Sequence, residues 1–490
     1  MKVLIVGRAS GADIVFNDPY VSRRHAQLVI HDNNRVGIVD LNSKTGTYVN
    51  GKRIRGEYNL FRGDKVKIGK SYLNWEKYVN NHTSTNKFKQ KLAYNDNNRT
   101  AKKRNKSLKY IPYLGILAVA GILMYFFAFK PELKQFERKY GGKDDEVFMT
   151  IIQTDDNGYL VGGYNESEKS LSGWVMKLDE NGERKWDADY GNEKVNITSV
   201  IQKSDNKNKY IVGGYSGNKN GDFYSWVKKI DEKGNVKWKK DFKDSDNGLI
   251  LRGIVNIDNG KHLISLKNKD NSSKIVKIDR HGNIIWKKLF ENDIINSIIE
   301  TDNNNFLLAG YENFGGSPYG LLMEIDEYGN KKWKKTYKGN KYSIFNSVIQ
   351  TENESIVLCG ATTSDNNGDQ GLLIKTNKSG RQLWYKSFGG KRNDNFSSIV
   401  QTSDGGYAIV GYLRSDENGK DGWLIKTSKT GNKKWEKTFG GEERDEFMKI
   451  INTSDGGFAI VGSTKSDGNG GEDAWMIKTD DKGNEIKKDN

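Results

Sequence analysis

Residues 396–441 read "FSSIVQTSDGGYAIVGYLRSDENGKDGWLIKTSKTGNKKWEKTFGG", and residues 447–484 repeat the pattern as "FMKIINTSDGGFAIVGSTKSDGNGGEDAWMIKTDDKGN". Each copy offers three short apolar strands. The first two are separated by a turn such as Ser403-Asp404-Gly405-Gly406, in which glycine supplies positive φ. A "DxxGN"-type turn follows the third, and then a fourth strand carrying tryptophan. Those tryptophans are Trp186, Trp238, Trp286, Trp333, Trp384 and Trp435, spaced 47 to 52 residues apart. Four strands in about fifty residues match one blade of a β-propeller.

The three-strand block occurs seven times, from "MTIIQT" near residue 149 to "MKIINTS" near residue 448, but only six tryptophan strands accompany it. The seventh block ends in "GNEIKKDN", with Lys487 at the tryptophan place. "QFERKYGG" at 135–142 aligns with "KWEKTFGG" and puts Phe136 there instead. The expectation is a seven-bladed ring whose last blade is completed by the first strand, leaving no exposed end blade. The shared Asp-x-x-Gly-x-x-x-Trp turn over roughly residues 131–490 resembles bacterial extracellular propeller repeats of the quinoprotein and outer-membrane-assembly types. A quinoprotein enzyme is the catalytic alternative this resemblance raises, yet no one set of residues is singled out for a cofactor. None is expected, and blade packing explains the tryptophans.

Composition agrees with an all-β chain. The 490 residues include 54 Gly and only 4 Pro, with 11% aromatics, which suits many strands joined by glycine turns. The one cysteine, Cys359, excludes an intramolecular disulfide framework. Five scattered histidines give no metal cluster. The acidic loops beginning at 364, 415 and 466 bring Asp and Asn together with Gly, as a calcium site would. They recur at the same place in successive units and lack EF-hand spacing, so hairpin turns are the expectation and no metal is assigned.

Charge is localised. Residues 1–80 hold 14 Lys/Arg against 7 Asp/Glu, and 81–110 hold 9 against 1, which leaves about +1 of the formal +16 for the rest. A basic arm suits nucleic acid, but the next stretch, "IPYLGILAVAGILMYFFAF" at 111–129, is nineteen residues without a charge. As a helix it would span roughly 28 Å, close to the hydrocarbon core of a bilayer. A single transmembrane helix is therefore expected, and no nucleic-acid partner. Six Lys/Arg between Arg99 and Lys109 put the N-terminus in the cytoplasm by the positive-inside rule. The propeller, residues 130–490, then lies outside the cell. Residues 81–110 read as a basic disordered linker able to touch anionic membrane lipid.

Residues 1–80 alternate short apolar strands with turns, as a β-sandwich does. "GR" at 7–8, "VSRRH" at 21–25, "NSKTGTYVNG" at 42–51 and "RGDKVKIG" at 62–69 together resemble a forkhead-associated (FHA) domain. That family binds phosphothreonine peptides. A phosphate monoester needs Arg forks and hydroxyl or amide donors on rigid loops, which Arg8, Ser22 and Arg23 can supply. By the resemblance Arg8 and Ser22 hold the phosphate, Arg23 adds a third contact and Lys44 a further one. His25 braces the loops, and Gly7, Gly46 and Gly51 permit tight turns. The sequence departs from the family at Thr45, where an Asn amide usually holds the peptide backbone; Asn50 remains. Thr has one hydroxyl in place of a carbonyl and two amide donors, which leaves a degenerate, phosphate-independent scaffold as the alternative.

The sequence thus describes a non-enzymatic, single-pass membrane adaptor or receptor of the cell membrane. Its cytoplasmic FHA domain binds phosphothreonine-containing protein, which implies a Ser/Thr kinase, and its extracellular propeller binds an unidentified ligand.

Overall fold

The computed structural model describes residues 2–78 and 135–485, other than 10–11, 17, 19, 31–35, 42, 51, 55–56, 61–63, 168–169, 191–194, 204–208, 218–222, 244–247, 258–259, 302, 339–341, 352, 364–367, 415–418, 467 and 469. The basic linker at 81–110, the apolar segment at 111–129, Gly51, Lys487 and most of the acidic loops fall outside the described residues. Among the described residues no helix is long and apolar enough to cross a membrane. The chain divides into two compact units, Met1–Leu133 and Lys134–Asn490.

The first unit is a two-sheet sandwich. One sheet orders the strands Ile14–Val15, Lys2–Gly7, Ala26–Ile30, Val36–Asp40 and Glu57–Leu60; the other orders Lys52–Arg53, Thr47–Val49, Val66–Ile68 and Ser71–Leu73. Val6, Leu28, Ile38, Val66 and Ile68 are fully buried between them, because alternate residues of a strand share one face. Trp75 closes one end, its indole N–H donating to the Asp64 carbonyl at 3.0 Å.

The second unit contains, among the described residues, seven four-stranded antiparallel sheets. Six are built from four consecutive strands. The seventh combines Asp445–Asn452, Phe458–Thr464 and Asp473–Thr479 with Phe136–Tyr140 from the other end of the unit. Phe136 lies opposite Lys478 and Tyr140 opposite Ala474 in that pairing. The first strands of successive blades touch in order, and the seventh touches the first. A closed ring of seven blades results, with the last blade completed as the repeat count requires.

The Asp-x-x-Gly-x-x-x-Trp motif works between blades. In the first blade Asp179 accepts the backbone N–H groups of Asn181 and Glu183, each at 2.8 Å, which forms a tight turn with Gly182 at φ +77°. The Phe136 ring covers Gly182. Around the ring Trp186 covers Gly234, Trp238 Gly282, Trp286 Gly329, Trp333 Gly380, Trp384 Gly431 and Trp435 Gly483. Each blade's last strand therefore caps the next blade's turn. Within blades, Phe148 stacks on Trp174, Phe396 on Trp423 and Phe447 on Trp475, with ring centroids 4.9 to 5.3 Å apart.

Three hairpin turns carry ion pairs with a lysine from the third strand. Lys177 meets Asp156 at 3.0 Å, Lys426 meets Asp404 at 2.7 Å and Lys478 meets Asp455 at 3.0 Å. Burial alone would raise the Asp404 carboxyl, but Lys426 and Lys434 hold it well below the carboxylate range. A buried lysine tolerates its position only when its charge is answered in this way.

Candidate functional site

Three loops of the sandwich meet at Ser22. The Arg8 N–H donates to the Ser22 carbonyl at 3.0 Å and the Ala9 N–H to the Arg23 carbonyl at 3.2 Å, which ties the end of the first strand to the 20–25 turn. The Lys44 N–H donates to Ser22 Oγ at 2.9 Å, which brings in the 41–47 loop. Gly7 is required by the close approach: a side chain there would run into the Arg23 carbonyl. Arg8, Ser22, Arg23 and Thr45 are half-buried and Lys44 is exposed, so their polar atoms sit on a fixed frame at the solvent edge.

His25 is the brace. It is fully buried, takes the Ser22 N–H on Nδ1 at 3.1 Å and lies 3.2 Å from the Gly46 carbonyl through Nε2. Since Nδ1 accepts, the proton resides on Nε2 and is donated to Gly46. Burial lowers the His25 pKa, against the opposing pull of the Gly46 carbonyl, so the neutral ring is the form that joins the two loops. Gly46 turns through φ +78°.

Thr45 contributes differently from an amide. Its hydroxyl donates to the Tyr20 carbonyl at 2.8 Å, so its single donor is spent inside the protein and two lone pairs remain. Asn50 is not gathered with the others. It sits beyond the far end of Thr47–Val49, at φ +50°, where its amide donates to Asp64 at 2.7 Å and its carbonyl accepts the Lys65 N–H at 3.0 Å. These contacts hold one hairpin to the next.

Two supports have no motif in the sequence. Asp40 accepts the Ser43 N–H at 3.1 Å and the hydroxyls of Ser43 and Thr47 at 2.6 Å each, which shapes the 41–47 loop. Arg53 pairs with Tyr48 across the hairpin and lays its side chain over Gly46, adding a base to the rim. Only the hairpin register would have pointed to it. Elsewhere, among the described residues, no group of three or more His, Cys, Asp or Glu is placed to hold a metal ion.

A β-sandwich presenting Arg8, Ser22 and Lys44 on three tied loops is of the FHA class, and residues 4–69 match the FHA domain family. Residues 224–475, just over half of the chain, match the family described as outer membrane protein assembly factor BamB, and the chain belongs to that family. The chain is similar to the glycogen accumulation regulator GarA of Mycobacterium tuberculosis, 44% identical over 67 residues, 14% of this chain and 40% of that protein. The chain thus spans well under half the length of this relative. A solved FHA domain from a study of phosphothreonine-dependent FHA interactions is 36% identical over 14% of this chain and 71% of its own, with a TM-score of 0.14. The propeller of Dos1 is 12% identical over 71% of this chain and 96% of its own, with a TM-score of 0.45.

Proposed function

We propose that the chain is a single-pass membrane adaptor: its FHA domain reads phosphothreonine on a cytoplasmic protein, and its propeller binds a ligand outside the cell. The observation that carries the reading is the convergence of Arg8, Ser22 and the Lys44 amide on one hydrogen-bonded frame. A phosphate dianion is matched by the side-chain donors this frame carries, the Arg8 guanidinium, the Ser22 hydroxyl and the Lys44 ammonium. The uncharged 111–129 segment and the basic residues before it support the membrane span, its orientation and contact with anionic lipid. A Ser/Thr kinase in the same cell would write the mark. The reading gives the chain no catalytic step and no cofactor, and the site residues are Arg8, Ser22, Arg23, Lys44 and Thr45, with Gly7, His25 and Gly46 as support. The described part of the acidic loops is read as hairpin structure.

One observation favours a second reading, in which the sandwich is a phosphate-independent scaffold: the Thr45 hydroxyl is already donated to Tyr20. A phosphothreonine peptide library and its dephosphorylated counterpart, offered to the full chain, separate the two. Selective retention of phosphorylated members is expected, and equal retention would leave the scaffold.

A further inference from the structure

Two positions at the propeller mouth vary from blade to blade among neutral side chains, and in the third blade both carry a base. At the position opposite the start of each first strand, the second strands carry Tyr164, Tyr215, Tyr311 and Tyr412 in the first, second, fourth and sixth blades. The third blade has Lys267 there, opposite Ile250. Each first strand also bulges near this level. In the fourth and fifth blades the bulge residues are Asn296 and Asn346, whose amides donate to the next blade's backbone, to the Phe345 carbonyl at 2.9 Å and the Phe396 carbonyl at 2.8 Å. In the third blade the bulge residue is Arg252, and among the described residues its buried Nε has no hydrogen-bond partner.

Two bases thus replace two neutral side chains on adjacent strands. Arg252 acts on Lys267, lowering its pKa beyond what burial does, and also on the hydroxyls of Tyr215 and Tyr311 in the flanking blades. Among the described residues no carboxylate pairs with Arg252 or Lys267. The opposite side of the mouth behaves otherwise. Lys420 is answered by Glu446 at 3.2 Å, and Arg444 by Glu446 at 2.7 Å and Glu472 at 4.0 Å. Two unanswered, partly desolvated cations side by side cost stability unless an anion completes them. The third blade as a whole is basic, with nine Lys/Arg against three Asp between residues 250 and 290, which would draw an anion to this side.

We propose that Arg252 and Lys267, with Tyr215 and Tyr311 at the matching position of the two adjoining blades, form an oxyanion-binding site at the propeller mouth, which takes a phosphate or carboxylate group of the propeller's ligand. The guanidinium supplies a planar fork, the ammonium a second charge and the two phenols donors on either side. This deepens the reading of the propeller as a ligand-binding domain and rests on it.

The test uses the full chain carrying Arg8→Ala, so that the FHA loops contribute no phosphate site. Melting of the propeller is followed by tryptophan fluorescence, since ten of the eleven tryptophans belong to that unit. The probes are inorganic phosphate and oligo-glutamate at low ionic strength. At least one probe is expected to raise the melting temperature, and which one does so distinguishes a phosphate from a carboxylate ligand. Arg252→Gln and Lys267→Gln should each weaken that binding on the order of tenfold or more, and neither should lower the melting temperature without anion, because each removes a repulsion. Phosphopeptide binding by the unmutated chain reports separately on the FHA reading. An anion response that survives both substitutions, no response to either anion, or an anion-free loss of stability in both variants overturns the site. If one variant fails to fold, the other decides.

Discussion

The ring of Phe136 covers the backbone of Gly182, so closely that a Cβ on the glycine would lie 2.6 Å from Phe136 Cε2. Phe136 stands at the start of the propeller and Gly182 in its first blade, yet the contact belongs to the seventh blade, which Phe136 completes. Six tryptophans make the same contact between other blades. Tyr140 adds to it, its hydroxyl donating to the Gly182 carbonyl at 2.7 Å.

Phe136→Ala is expected to destabilise the propeller by roughly 2–3 kcal/mol, below the full range for a buried Phe because this ring is only half-buried. Phe136→Trp restores the residue of the other six blades and should be neutral or stabilising. Gly182→Ala forces a side chain into both positive φ and the ring, at a cost on the order of 1–3 kcal/mol. Deleting residues 131–141 removes a whole edge strand, and aggregation is expected. Thermal melts of these variants decide whether the ring closes here; unchanged melting after the deletion would place closure elsewhere.

A second consequence concerns pH. Glu146 is buried, and burial pushes its carboxyl up to about 7, with Asp473, Asp144 and Asp145 adding to the rise and the Gly142 N–H opposing it. Asp394 occupies the equivalent place in the sixth blade, accepts the Gly390 N–H at 2.7 Å and is likewise raised by burial. An acid whose folded pKa exceeds its unfolded value holds its proton better when folded. Its contribution is therefore fully present below the ordinary value of 4.5 and is lost as pH rises through about 7. Glu146→Gln keeps an acceptor for Gly142 and loses the titration. Its melting temperature should exceed the wild type's at pH 8 and converge with it near pH 4; a constant gap at both would refute the assignment.

His25 titrates with the opposite consequence for the FHA domain. Its folded pKa lies below the ordinary 6.5, so the unfolded state takes up the proton first. Stability is then greatest above 6.5 and declines as pH falls beneath it. Protonation also removes the lone pair that accepts the Ser22 N–H. Protection of the Ser22 amide, its exchange rate relative to the intrinsic rate at each pH, should therefore fall in the wild type as pH drops below 6.5. His25→Ala should leave that amide little protected at every pH and bind phosphopeptide weakly; protection in the wild type that stays high and constant with pH would contradict the brace.

Much of this molecule can be read along the chain, because its information is periodic. Each Asp-x-x-Gly-x-x-x-Trp copy marks a turn and a strand, and the vacancy in the series points to Phe136. What the spacing cannot carry is which surfaces meet. That Trp186 covers Gly234, or that Lys478 is buried against Asp455, depends on the twist between sheets. The site shows the same division. Arg8, Ser22 and His25 stand out as residue types in a motif, but the partner of the Thr45 hydroxyl is a carbonyl 25 residues earlier, and a carbonyl leaves no mark in a side-chain pattern. Asn50 resembles a site residue in sequence, yet three strand residues at about 3.4 Å each separate it from Gly46, and its amide is committed to Asp64 and Lys65.

That separation gives the sharpest contrast for the phosphate site. Arg8→Ala should weaken binding of a phosphothreonine peptide by on the order of 2–5 kcal/mol, the cost of truncating one partner of a hydrogen-bonded charge pair. Melting should scarcely change, since the Arg8 backbone N–H that ties the loops is untouched. Asn50→Ala should do the reverse, destabilising the hairpin by about 1 kcal/mol through its two lost hydrogen bonds and leaving affinity for phosphate nearly intact. Thr45→Asn can still reach the Tyr20 carbonyl with one amide hydrogen and offers a second donor and a carbonyl to the peptide, so binding should tighten or hold. Calorimetric titration of each variant with the phosphorylated peptide and its unphosphorylated twin measures all three. Wild-type affinity that ignores both the phosphate and Arg8→Ala would end the phosphate-reader proposal, whereas a loss with Asn50→Ala equal to that with Arg8→Ala would return Asn50 to the binding surface.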